Sequence, residues 1–163
     1  MMTLQNVKIL AVFLLCQSAF VESAVEECSG DAEYSISGMM LRRHIYKTIT
    51  GAPLGNVCLR ECYRDARCQS FNYVISKETC ELNNRTKEAR PEDFVSDSER
   101  YYFKRDMNRV RLGSIPDLPA ESCKEIKASE GEWADSGNYW LHFLEIEKIL
   151  LSYCDMKTEG KKH

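Results

Sequence analysis

Asn56-Val57-Cys58-Leu59-Arg60-Glu61-Cys62, then Cys68-Gln69-Ser70-Phe71-Asn72-Tyr73, then Cys80-Glu81-Leu82-Asn83, is the stretch that decides the fold. Asn56 can cap a helix through its side-chain oxygen, and the residues from Val57 to about Arg67 mix apolar and polar positions as a helix does. Cys58 and Cys62 are four apart, so they share one helical face. Ser70 to Ile75 reads as a strand with Phe71 and Tyr73 on one side. Ser76 to Glu78 reads as a turn, and Thr79 to Asn83 as the returning strand. Working outward, His44 to Thr50 is β-branched and aromatic and reads as a strand. It is broken by Gly51-Ala52-Pro53-Leu54-Gly55. Arg100-Tyr101-Tyr102-Phe103-Lys104 reads as a last strand. One helix among antiparallel strands is an α+β fold, a small disulfide-bonded sheet cradling that helix.

The chain has 163 residues, 44% of them apolar, 29% charged, and a formal net charge of -3. A domain commonly takes about 100–200 residues, so an ordinary multi-domain enzyme is excluded. The acidic balance does not suit nucleic-acid binding, and the apolar and aromatic content excludes a mainly disordered chain. Eight cysteines make the redox compartment the next question. Met1 to Gln5 is polar, Lys8 is positive, Ile9 to Leu15 is apolar, and small or polar residues follow to Ala24. That order predicts a secretory signal peptide over residues 1–23, with cleavage after Ser23, the best fit to the small-residue rule, or after Ala19 as the alternative, and loss of Cys16. The apolar run is well short of the roughly 20 residues that span a bilayer, so no stable membrane anchor is expected. The expected product is secreted and extracellular, with Cys28, Cys58, Cys62, Cys68, Cys80, Cys123 and Cys154 remaining.

The spacing Cys58-x3-Cys62-x5-Cys68-x11-Cys80 lacks the paired ligands of a structural zinc site, and no histidine lies near it in sequence. Disulfides are therefore expected, with no metal and no cofactor. Four cysteines allow three connectivities. A direct Cys58–Cys62 bridge is disfavoured because parallel Cβ vectors on one helical turn do not meet. The nested pairing, Cys58–Cys80 with Cys62–Cys68, is preferred because it pins the helix to the hairpin and to the loop after it.

Taken together, Cys58-x3-Cys62, Cys68-Gln69-Ser70-Phe71-Asn72-Tyr73, Cys80-Glu81-Leu82 and Tyr101-Tyr102-Phe103 resemble the PAN/Apple domain family, over about residues 28–105. The resemblance implies an antiparallel sheet around one helix, the nested bridges, and a binding module for proteins or carbohydrates without catalysis. Many Apple domains also join their termini by a bridge. Here the last strand has no cysteine, which leaves Cys28 unpaired, intermolecular, or bonded to the C-terminal segment.

The expected organisation is a signal at 1–23, a PAN/Apple-like domain at 25–105, a linker at 106–120 carrying Gly113, Pro116 and Pro119, and a C-terminal segment at 121–163. In that segment Ser122-Cys123-Lys124-Glu125-Ile126, Ser136-Gly137-Asn138-Tyr139-Trp140 and Tyr153-Cys154-Asp155-Met156 are similar to the opening of a fibrinogen-like domain. That resemblance implies a Cys123–Cys154 bridge. Leu141 to Leu151 is more apolar and more helical in pattern than such an opening, and the segment covers only a part of one. Its order is left open: docked on the first domain, partly disordered, or the remnant of a longer protein.

No arrangement of Ser, Cys or His supplies a catalytic centre. His44, His142 and His163 read as structural or solvated, and no enzyme activity is expected. Arg60, Arg64 and Arg67 follow i, i+4, i+7 spacing and form a candidate ligand-binding face for an acidic glycan or protein surface. Arg42, Arg43, His44 and Lys47 form a second cationic group. Asn84-Arg85-Thr86 is an N-glycosylation sequon, and Glu92, Asp93, Asp97 and Glu99 form an acidic loop without calcium-site spacing. The expected function is a secreted, non-enzymatic recognition or adhesion protein that binds an extracellular protein or glycan. A structural component of matrix or mucus, cross-linked as a disulfide dimer through Cys28, is the competing reading.

Overall fold

Strand β3 (Ser70–Val74) is the centre of the main sheet, and four of its five residues are buried. A computed structural model describes residues 35–53 and 55–157, so the expected signal peptide, Cys16, Cys28 and His163 lie outside the described residues. The sheet has the order β1-β5-β3-β4-β2, with every neighbouring pair antiparallel. Its other strands are β1 (Ser35–Leu41), β2 (Ile45–Ile49), β4 (Thr79–Asn83) and β5 (Phe94–Lys104). This is the α+β architecture expected. Strand β1 was not legible in the sequence. It is interrupted by a bulge between Ser37 and Met39, where Gly38 takes φ 72°, a conformation costly for residues with a Cβ.

Helix α1 (Asn56–Arg64) crosses from β2 to β3 and turns Cys58 and Cys62 inward. Both are fully buried with Cys68, Cys80, Phe71 and Leu82 in one apolar cluster. Phe71 stacks on Phe103 with ring centroids 4.7 Å apart at its floor. The nested disulfides Cys58–Cys80 and Cys62–Cys68 tie the helix to β4 and to the loop that follows it. Two details differ from expectation. Gly55 holds the N-cap position and Asn56 lies inside the first turn, so no side chain caps the helix. The helix also ends at Arg64, because Asp65 turns to extended backbone (φ -104°, ψ 118°). The carbonyls left at that end are taken by the buried Arg105, whose guanidinium donates to Cys62 and Asp65 at 2.9 Å and to Tyr63 at 3.3 Å.

On the sheet, Asn72 is fully buried. Its amide oxygen accepts from Leu41 N–H and its amide nitrogen donates to Leu41 C=O, both at 2.9 Å. A side chain thus satisfies both backbone groups at the end of β1.

Residues 106–120 are not a tether. Leu112, Leu118 and Ala120 are buried in a second apolar cluster with Ile126, Leu141, Cys154 and Met156. Gly113 adopts φ 78° there, and an added Cβ would stand 3.1 Å from Ile126 Cδ1 and 3.3 Å from Tyr139. The Gly and Pro content that marks a linker by composition instead builds a packed turn. Beyond it come helix α2 (Cys123–Glu130) and the hairpin β6 (Gly137–Phe143) and β7 (Lys148–Cys154). Leu141 to Leu151 is therefore strand, turn and strand, not helix. Glu147 at φ 53° helps to reverse the chain. Cys123 and Cys154 are bonded, and the six cysteines among the described residues are all paired.

Ion pairs join this C-terminal part to the main sheet. Arg85 Nε and Arg90 Nε donate to Glu125 Oε1 at 2.6 and 2.7 Å. Arg109 holds both oxygens of Glu130, at 2.9 and 2.7 Å. Gln69 donates to the Val110 carbonyl at 3.0 Å and also meets Arg109.

Candidate recognition surface

The sequence of α1 alternates its two faces at helical spacing, so burying Cys58 and Cys62 presents Arg60, Glu61 and Arg64 outward. Arg60 and Arg64 are 59% and 69% exposed. Lys47, on the neighbouring strand β2, reaches Glu61 at 3.5 Å. Arg64 and Arg60 approach the same carboxylate at 3.3 and 3.9 Å. Three cations therefore share one negative charge on an otherwise acidic protein.

Arg67 does not join this face. The helix has ended before it, and it pairs with Asp65 through Nε at 3.1 Å and Nη2 at 2.8 Å. Its guanidinium also lies 4.7 Å from the Tyr46 ring centroid, a cation–π contact. The hydrogen bond from Arg67, outweighing burial, holds the Asp65 carboxyl at about 2. Arg67 is thus neutralised in place. The structure brings together Arg60 and Arg64, removes Arg67, and adds Lys47, which the sequence had grouped elsewhere.

The other cationic group is also committed. His44 Nε2 lies 3.0 Å from buried Asp93 Oδ2, and Arg42 and Arg43 approach Asp93 Oδ1 at 3.4 Å. Burial lowers the His44 pKa in spite of that hydrogen bond. Burial alone would raise the Asp93 pKa, but His44, Arg43 and Arg42 together bring it below the usual value. Asp97 pairs with Arg100 at 2.6 Å, so the acidic loop is dispersed among separate partners. Among the described residues, no group of three or more His, Cys, Asp or Glu side chains is placed to hold a metal ion.

At the sequon each residue has a structural task. Asn84 N–H donates to the His44 carbonyl, Arg85 pairs with Glu125, and the fully buried Thr86 hydroxyl accepts from Ala89 N–H at 3.3 Å. His142 lines a cleft of about 340 Å³ with Glu121, Phe143, Leu144, Glu145 and Ile146.

Glu125 and Glu130 were not singled out in the sequence, yet they anchor the C-terminal part. A signal for the first existed. Ser122-x-x-Glu125 has the form of a helix-start box, and Ser122 Oγ does accept from Glu125 N–H at 3.1 Å. Glu125 Oε2 in turn accepts from Glu121 N–H.

No curated protein matches the chain. The fibrinogen-like resemblance of residues 121–163 receives no support from the family comparison, whose match ends before that segment. Residues 32–113, half of the sequence, match the family model described as PAN domain, and they include the helix, the sheet and the nested bridges set out above: the chain belongs to the PAN domain family.

Proposed function

We propose that this chain is a secreted, non-enzymatic recognition protein that binds an acidic extracellular ligand through Lys47, Arg60 and Arg64 on the outward face of α1 and β2. PAN domains are binding modules for proteins or carbohydrates, generally without catalysis, and are typical of extracellular proteins. Disulfides of the kind seen here persist in oxidising compartments, and among the described residues no helix is long and apolar enough to cross a membrane.

The observation that carries the reading is the exposure of two guanidinium groups and one ammonium around the single Glu61 carboxylate. Guanidinium presents a planar fork of donors that matches sulfate or carboxylate oxygens two at a time. Glu61 keeps the cations gathered in the free protein. A ligand bearing several negative charges would outcompete it, and salt would weaken that attraction.

Immobilised heparin tests this directly. The wild-type protein, despite its net negative charge, is expected to be retained at low salt and released by added sodium chloride. The Arg60→Glu/Arg64→Glu double variant is expected to pass through, while Arg43→Glu, beside Asp93, is expected to elute close to wild type. A wild-type protein that is not retained, or a double variant released at the wild-type salt concentration, contradicts the proposal.

A further inference from the structure

Strand β7 has an open edge, and its backbone directions can be read from its neighbour. Trp140 N–H donates to Gly113 C=O at 2.7 Å, Trp140 C=O accepts from Ala120 N–H at 3.0 Å, and His142 N–H donates to Ala120 C=O at 2.7 Å. The backbone groups of Trp140 and His142 therefore point away from β7. Their cross-strand partners are Leu151 and Ile149. In an antiparallel ladder the partner of an outward-facing residue faces outward too, on its own side. Ile149, Leu151 and, by the same alternation, Tyr153 thus present their N–H and C=O groups at the free edge. Among the described residues β7 pairs with β6 alone.

The side chains on this hairpin are apolar and uncovered. Leu151 is 54% and Tyr153 67% exposed, and Ile149, Leu150, Leu144 and Ile146 are exposed as well. Ile149, Leu151 and Tyr153 share one face of the strand and Leu150 lies on the other, and an exposed apolar face of this kind marks an interaction site.

Edges are normally blunted by bulges, charges or proline. Both outer strands of the main sheet have such devices: β1 a bulge at Gly38, and β2 a register break and Lys47. Strand β7 has only Lys148, at its start, and neither proline, glycine nor a register break.

We propose that β7 is a self-association edge, pairing antiparallel with β7 of a second copy about a two-fold axis at Leu151. This register places Leu151 opposite Leu151 and Ile149 opposite Tyr153 of the second copy. Every outward N–H and C=O group of the three residues then finds a partner. The aromatic and β-branched pair of Tyr153 and Ile149 is a favourable cross-strand combination. Lys148 falls opposite Cys154, so the one charge on the strand does not meet itself. The hairpins become a four-stranded sheet, and an isologous contact of this kind closes on itself. The resulting pair carries two α1 faces.

The test is sedimentation of the full chain in a Cys28→Ser background, which removes any sulfur link through that residue. Protein concentrations from about 1 to 100 µM bracket micromolar association. A reversible dimer is expected. Leu151→Lys sets two like charges opposite each other, and Leu151→Pro removes only an outward N–H. Each is expected to weaken the dimer at least tenfold while circular dichroism stays unchanged, and Tyr153→Lys provides a second position should either fold poorly. Ile75→Ser, an exposed apolar position in the short turn between β3 and β4, is expected to leave the dimer intact. A monomer at every concentration overturns the proposal, as does a dimer indifferent to the Leu151 and Tyr153 variants. A dimer equally weakened by Ile75→Ser overturns it too.

Discussion

Glu125 accepts from Arg85 Nε at 2.6 Å, joining helix α2 to the loop after β4. Both side chains are almost fully buried, at 4% and 6% exposed. The pair stands at the junction between the PAN domain and the C-terminal part, where Arg90 meets the same oxygen. Burying such charges gains little over apolar packing, but removing one partner strands the other in a poorly solvated place. The C-terminal part is accordingly held by an interaction that punishes single changes.

Glu125→Gln is therefore expected to lower the unfolding free energy by about 3 kcal/mol, the range for breaking a buried pair. Urea unfolding measures it. Hydrogen exchange should locate the first loss of protection at α2 and the junction. A change below about 0.5 kcal/mol, the size of an ordinary surface substitution, would show that the junction does not depend on this contact.

Asp65 gives a signed pH dependence. Its folded pKa, about 2, lies below the ordinary carboxyl value because Arg67 hydrogen-bonds the charged form. A carboxyl depressed in the folded state stabilises the fold above its unfolded pKa, near 4, and loses that contribution as pH falls through the folded value. Arg67 is about half exposed, so solvent screening reduces the contribution to about 1 kcal/mol. Asp65→Asn should be less stable than wild type by that amount at neutral pH, and the two should converge between pH ~4 and ~2. A difference that widens on acidification would assign the wrong sign.

The two nested bridges should not contribute equally. Cys58–Cys80 spans 22 residues and Cys62–Cys68 spans 6. Loop-closure entropy then assigns about 3 kcal/mol to the first and about 2 kcal/mol to the second. Paired Cys→Ala variants, compared by thermal melting, should rank in that order. The reverse ranking would mean that the short bridge does more than restrict the unfolded chain.

Strands carrying alternation were legible directly: β4 has the expected limits, and β2 is one residue shorter at each end than the stretch that predicts it. Helix α1 was legible in kind but not in its end, where Asp65 turns to extended backbone and Arg105, forty residues away, takes the carbonyls left over. Strand β1 was hidden by Gly38 and by methionines of weak β preference. The β6–β7 hairpin was misread as helical because an apolar, exposed edge strand shows none of the alternation that a half-covered strand carries. The candidate face was half legible. Spacing on one helix groups Arg60, Arg64 and Arg67; the structure leaves Arg60 and Arg64 on an exposed face and pairs Arg67 with Asp65, whereas Lys47 arrives from a different strand and no local pattern could place it.

A residue-resolved titration tests whether the outward face of α1 receives an acidic ligand. Amide chemical shifts of the full protein would be followed as a heparin-derived oligosaccharide is added. Shifts are expected to concentrate at Lys47, Arg60, Glu61 and Arg64 and to be suppressed by salt. Shifts confined to the β6–β7 hairpin, or no shifts at all, would contradict it.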